Sequence, residues 1–266
     1  MQAFVLFSQT SRMIKVNCFV VFIFIVFTSF TSSLNVPSRL SEIDDENNEK
    51  PQQEPEHKIV VVGDMLLTES QYQFLYTNDS FKRHGLKRVF NHWPGAIVPV
   101  AFAPNTFSEE FITVVKSAME YISRVSCVKF EFNRRHVDNY ILITKGSGCS
   151  SQVGNLRQGE QYLRLNQNVC ERGNIIHELL HGLGFLHMHT AEERDKFIKI
   201  NLSNVNPQGL KNFEKYTAFV TMYNTQYDYH SIMHYSRNAF AIDKNKPTIV
   251  PFERVSNMGQ RHGMKL

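Results

Sequence analysis

The stretch from Ile175 to His187, IIHELLHGLGFLH, constrains the fold more than any other part of this 266-residue chain. Histidines at i and i+4 reach one point together only if His177 to His181 is helical, and Glu178 then lies beside that point without being a ligand. Gly184 sets the next step. A helix that ran on would carry its following side chains past the point, whereas glycine accepts the left-handed backbone that ends a helix. The chain can then turn and bring back His187 as a third nitrogen. Three protein ligands leave one tetrahedral position open, the arrangement of a catalytic zinc site. A His-Glu-x-x-His string alone arises by accident. Requiring a glycine and a third histidine at fixed offsets makes accident roughly a hundred times rarer.

The rest of the sequence places this motif in an exported protein. Cys18 to Phe30 is an apolar run preceded by Arg12 and Lys15 and followed by Thr31, Ser32 and Ser33, the layout of a secretory signal over residues 1–33. It falls short of the ~20 apolar residues that cross a bilayer, so stable membrane insertion is not expected. Removing the signal takes Cys18 with it and leaves Cys127, Cys149 and Cys170, an odd number for an oxidising compartment. Asn78 and Asn201 head Asn-x-Ser triplets and are expected glycosylation acceptors.

Charge divides the remainder. Leu34 to Arg83 carries 5 basic against 10 acidic residues, and His84 to Leu266 carries 22 against 15. An acidic leader over residues 34–83 covering a basic domain over residues 84–266 is the expectation. The Lys and Arg residues are scattered and form no stripe, which argues against a nucleic-acid partner. Residues 34–57 are polar, acidic and proline-containing and should lack structure of their own. Lys82-Arg83 and Lys87-Arg88 are basic pairs where an activating protease could cut, and Arg83 is the expected site. Ile59 to Val62 reads as a short strand ending in Gly63-Asp64. Farther on, Ile97 to Phe102, Cys127 to Phe132 and Tyr140 to Thr144 read as strands, and Gln161 to Leu165 alternates as an edge strand would. Thr106 to Ser126 reads as a helix with Thr106 and Glu109 as its capping box and Phe111, Val115, Ala118, Met119 and Ile122 on its core face.

With these residues in view, the chain resembles the astacin family of the metzincin zinc metallopeptidases. Trp93-Pro94 with Val98-Pro99 is similar to the family's opening, and His177 to His187 to its zinc motif. Tyr227-Asp228-Tyr229 with Ser231-Ile232-Met233-His234-Tyr235 is similar to its methionine-turn segment, and Met258-Gly259-Gln260-Arg261 to its closing motif. The resemblance implies an α+β fold, with an upper half of mixed sheet and helices, an irregular lower half, and a cleft with one zinc ion at its floor. It implies that Met233 lies beneath the metal and that Tyr235 stabilises an oxyanion. It also implies that Cys149 pairs with Cys170, and that Cys127 has its partner beyond a C-terminal helix which a chain stopping at Leu266 lacks; a truncated C-terminus is the expectation. Gly63-Asp64 resembles the family's propeptide switch, in which the Asp64 carboxylate ligates the zinc of the latent form.

The reaction implied is hydrolysis of internal peptide bonds of protein or peptide substrates, with Glu178 as general base toward a zinc-activated water. An extended substrate is expected to add to the strand near Tyr162 to Leu165. Some positions depart from the family. Met188 stands where Glu is usual, Ala191 replaces an Arg, and His230 replaces a Gly. These departures sustain an alternative, a catalytically impaired zinc-binding interaction module outside the cell. Intact Glu178 and Tyr235 argue for the enzyme.

Overall fold

In the computed structural model, residues 58–77, 92–132, 138–216 and 226–264 are described; the signal segment, the expected cut sites and Asn78 lie outside them. Among the described residues a seven-stranded mixed sheet forms the upper half. Its strands are β1 (Ile59–Val62), β2 (Met65–Thr68), β3 (Ile97–Phe102), β4 (Lys129–Phe132), β5 (Tyr140–Lys145), β6 (Ser150–Gln152) and β7 (Glu160–Leu165), in the order β1-β2-β6-β7-β5-β3-β4. β3 lies parallel between β4 and β5, and β5 lies parallel to β7. β6 runs antiparallel to β7 and parallel to β2.

Two helices cover this sheet, α2 (Glu109–Val125) and α3 (Arg172–Gly182). The core face expected for α2 is the face it buries, packed with Val98, Val100, Ile141 and Ile143 of the sheet and Ile175, Ile176 and Leu179 of α3. Burial of such side chains contributes ~1.5–3 kcal/mol each relative to exposure, and the zinc-motif helix is thereby fixed against the sheet. The cap of α2 differs from expectation. Ser108 is the N-cap, accepting from the Phe111 N–H, while the Thr106 hydroxyl turns back to Pro104 O. Two hydroxyl residues precede the same acidic first turn, and the one whose oxygen reaches the third helical N–H wins.

The strand expected at an edge is also interior. β7 is paired to β5 along its whole length, from Glu160 to Leu165, and to β6 at Leu163 and Arg164. Its alternation arises because one face of the sheet is covered and the other is not, which says nothing of the strand's place in the order. Strand addition at Tyr162 to Leu165 is therefore ruled out.

The lower half follows the expected irregular course. Short 3-10 turns at Met188–Thr190, Arg194–Lys196, Leu202–Asn204 and Pro207–Phe213 alternate with a two-stranded ribbon of β8 (Ile198–Ile200) and β9 (Ile249–Pro251). It has its own core around Phe213, Tyr227, Tyr229, Tyr235 and Ile249. Cys149 and Cys170 form the expected disulfide, tying the start of β6 to the approach to α3, and no disulfide to Cys127 is formed among the described residues. No helix among the described residues is long and apolar enough to cross a membrane.

The N-terminal described segment is a third packed unit. β1 and β2 form an antiparallel hairpin with Gly63-Asp64 as its two-residue turn, pairing Val62 with Met65. Helix α1 (Glu69–Tyr76) follows, with Thr68 and Gln71 making a reciprocal capping box. Met65, Leu67 and Leu75 are fully buried against Val153 and Tyr216, and Gln71 Nε2 donates to Val153 O at 2.8 Å.

Candidate metal and active centre

Helix α3 carries His177, Glu178 and His181 in its last turns, and its C-terminus is built as the sequence requires. Gly184 takes φ +102°, its N–H donates to His181 O at 2.8 Å, and the Phe185 N–H reaches Leu180 O at 3.0 Å. This pair of bonds is the Schellman motif with glycine just past the cap. The Trp93 indole N–H donates to Gly182 O at 2.8 Å, so the Trp-Pro segment docks on the end of this same helix. The chain then reverses, and His187 comes back to the two helical histidines.

The three imidazoles converge on one point. His187 Nε2 lies 3.2 Å from His181 Nε2 and 3.3 Å from His177 Nε2. His177 Nδ1 sits 2.8 Å from Ile232 O and His181 Nδ1 2.7 Å from Phe185 O, so each Nδ1 carries the proton and donates to a carbonyl. Their Nε2 atoms are then bare lone pairs facing one another, an arrangement that repels unless a cation sits between them. Bonds of 2.0–2.1 Å in a tetrahedron place two nitrogens about 3.3 Å apart, which is the spacing found. Burial pushes the His177 imidazole down to about 3 and lowers that of His187, so both are neutral at physiological pH, the state in which imidazole can bind a metal.

A carboxylate completes the set. The hairpin turn sets Asp64 Oδ1 2.9 Å from His187 Nε2 and 3.6 Å from His181 Nε2, with Oδ2 3.2 Å from His177 Nε2. Burial works to raise this carboxyl's pKa, and positive charge at the imidazole cluster outweighs it and keeps the carboxyl ionised; with the imidazoles neutral, a bound cation would supply that charge. Oδ1 is enclosed yet makes no hydrogen bond. An ionised oxygen set among three imidazole nitrogens, two of them bare lone pairs, is a donor set for one metal ion, and Asp64, His177, His181 and His187 could hold it together.

Glu178 lies beside this cluster and outside it. It is 2% exposed, and its Oε2 has no partner. Burial raises its pKa well above the ordinary value, the Asp64 charge adds to this, and the Arg261 guanidinium opposes it. Such a carboxyl is poised to take up a proton.

The segment from Ser231 to Tyr235 packs beside the site, with Ile232 O against His177 Nδ1. The His234 N–H returns to Ser231 O, and Met233, 4% exposed, accepts from the Met188 N–H through its carbonyl at 3.1 Å. The Met233 side chain belongs to the upper core together with Leu179 and Leu180. Tyr235 is buried with its ring 4.7 Å from that of His187, and its hydroxyl abuts Gly63 of the hairpin. A cavity of about 780 Å³ adjoins the hairpin, lined by Asp64, Lys211, Asn212, Tyr235, Phe240 and Arg261 among others. The Lys211 ammonium stands 4.1 Å from the centre of the Tyr72 ring of α1.

Every metal or catalytic candidate read from the sequence is thus brought to one place. Two residues of the site were not singled out. Arg261 had been part of a motif only, and its Nη1 is bound to His234 O and Gln260 O at the cluster's edge. His189 lies stacked on Tyr235, and its offset of two from the last ligand was the available signal.

The sequence pattern of the peptidase family described as Astacin matches residues 85–265. The chain is 33% identical over 183 residues to the zinc metalloproteinase nas-13 of Caenorhabditis elegans, covering 68% of this chain and 40% of that one. It is 34% identical over 178 residues to high choriolytic enzyme 1 of Oryzias latipes, covering 65% and 64%. The solved structure of that hatching enzyme zinc-protease matches with a TM-score of 0.61 at 32% identity, over 66% of this chain and 88% of that one. The chain spans less than two thirds of the length of these two curated relatives. A pattern that takes in most of the chain, arriving at the same metal motif as the geometry, leads to one conclusion: the chain belongs to the astacin family of zinc metallopeptidases.

Proposed function

We propose that this chain is the latent precursor of a secreted zinc endopeptidase that hydrolyses internal peptide bonds of proteins. Residues 1–33 act as the export signal, residues 34–83 as the leader, and a protease cutting after Arg83 starts activation. The observation that carries the reading is the Asp64 carboxylate seated 2.9–3.6 Å from the three imidazole Nε2 atoms. Export is supported by the apolar N-terminal run, by the Cys149–Cys170 disulfide, and by a relative named seminal metalloprotease 1.

His177, His181 and His187 would hold the metal, and zinc there would supply Lewis acidity toward a peptide carbonyl and acidify water. Glu178 accepts the proton of the attacking water and returns it to the leaving amine, with burial having prepared its carboxyl for the first of these transfers. Tyr235 donates its hydroxyl to the oxyanion once the hairpin no longer stands against it. Asp64 fills the position that the attacking water needs. An intact, unpartnered Glu178 Oε2 is what disfavours a purely binding role.

The test is Asp64→Ala in the uncut precursor, assayed on an internally quenched peptide. The variant is expected to cleave measurably where the parent precursor is silent. A variant as silent as the parent would assign latency to steric cover by the leader alone.

A further inference from the structure

His189 is fully buried at the heart of the site and has no part in the reaction proposed above. It lies two residues after the third ligand, inside the 3-10 turn Met188–Thr190, which faces it inward. Its imidazole lies nearly flat on the Tyr235 ring, centroids 3.9 Å apart and planes 22° from parallel. Nε2 is 2.9 Å from Asn212 O and must carry the proton to donate there. The lone pair is left on Nδ1, which is buried and unpartnered. The main chain is pinned as well, because Arg194 Nη1 donates to His189 O at 3.0 Å and to Phe213 O at 2.6 Å.

A plain spacer would not be built this way. A buried acceptor without a donor is unfavourable, and an aliphatic side chain of similar volume would fill the place without that cost. What an imidazole adds is a flat face together with an N–H that fixes the plane of that face. Tyr235 needs such a surface. In this structure its hydroxyl abuts Gly63, and that boundary leaves with the leader. The remaining rings stand farther off or at steeper angles: His187 at 4.7 Å and 56°, Phe240 at 5.7 Å, Phe213 at 6.1 Å and 81°.

We propose that His189 is a positioning residue for Tyr235, holding the phenol ring in the plane along which its hydroxyl reaches the reacting carbonyl. The inference rests on the oxyanion role given to Tyr235 above. Asn212 lines the cavity beside the hairpin, and its carbonyl sets the imidazole plane, so the cavity wall holds the imidazole and the imidazole backs the phenol.

The test is a double-mutant cycle in the full chain after leader removal, reading kcat and KM on an internally quenched peptide, with zinc content as a check on the fold. His189→Ala and His189→Leu are expected to lower kcat roughly ten- to hundredfold with KM changed less than threefold, as misplacement of a reacting group does. His189→Gln, with a planar amide and an N–H for Asn212 O, is expected to recover most of the loss. In a Tyr235→Phe background, His189→Leu should cost almost nothing, because the hydroxyl it positions is gone. An equal loss in both backgrounds, or full activity in His189→Leu, overturns the inference and leaves Tyr235 its role. Undiminished kcat in Tyr235→Phe alone overturns both. If His189→Ala fails to retain zinc, the Leu and Gln variants decide.

Discussion

Gly63 and Asp64 share one turn and do different things in it. Asp64 supplies the oxygen, and Gly63, at φ +66° with no room for a Cβ before the Tyr235 hydroxyl, lets the turn come close enough to deliver it. Gly63→Ala adds about 1–2 kcal/mol of backbone strain besides the clash. The uncut Gly63→Ala precursor is therefore expected to hydrolyse a quenched peptide at several times the parent's rate although its carboxylate is intact; a rate equal to the parent's would mean that the turn absorbs the methyl. At this scale the sequence was most legible where chemistry is encoded by local spacing. His177, Glu178, His181, Gly184 and His187 fall within eleven residues, and helix periodicity together with the glycine turn predicts where they point. Asp64 was legible only through resemblance, since nothing local says that a turn 113 residues before His177 will meet it. His189 was missed because its partner, Tyr235, is remote in sequence and belongs to the other arm of the lower half.

The hairpin β1–β2 and helix α1 act as one docking unit. The hairpin enters the main sheet through parallel pairing of Met65 with Ser151 and Leu66 with Gln152, and the helix anchors it through Gln71 and Leu75. Such pairing plus buried side chains is the logic of strand addition, and it holds whether or not the covalent link survives. A synthetic peptide spanning residues 58–77 is thus expected to inhibit the activated enzyme in trans, and an Asp64→Ala version at least tenfold less well. Equal inhibition by both peptides would reduce the carboxylate to a bystander in the docked unit. Elements were legible in existence and less so in their ends and neighbours. β1 and β3 were read with the bounds they have, while the α2 cap shifted from Thr106 to Ser108 and the supposed edge strand β7 proved interior. Alternation records which face is covered; neighbours on either side come from segments far along the chain, here β6 and β5.

The whole molecule is an upper sheet-and-helix half and a lower irregular half that meet at the histidines, with the N-terminal unit between them. Each half keeps its own core, and the two meet where the N–H of Met188, packed on the lower core, reaches the carbonyl of Met233 in the upper one. The α+β architecture followed from resemblance and not from periodicity, because the lower half consists of 3-10 turns that leave no repeating pattern to read. What that architecture accomplishes is to bury Glu178 beside the three histidines proposed to hold the metal, outside their cluster. The most direct test of the account separates those two facts in one variant. Zinc content by elemental analysis and cleavage of a quenched peptide should be measured on the activated chain with and without Glu178→Ala. About one zinc per chain is expected in both, with cleavage reduced by at least about a hundredfold in the variant. Full cleavage by the variant, or loss of its zinc, would contradict this.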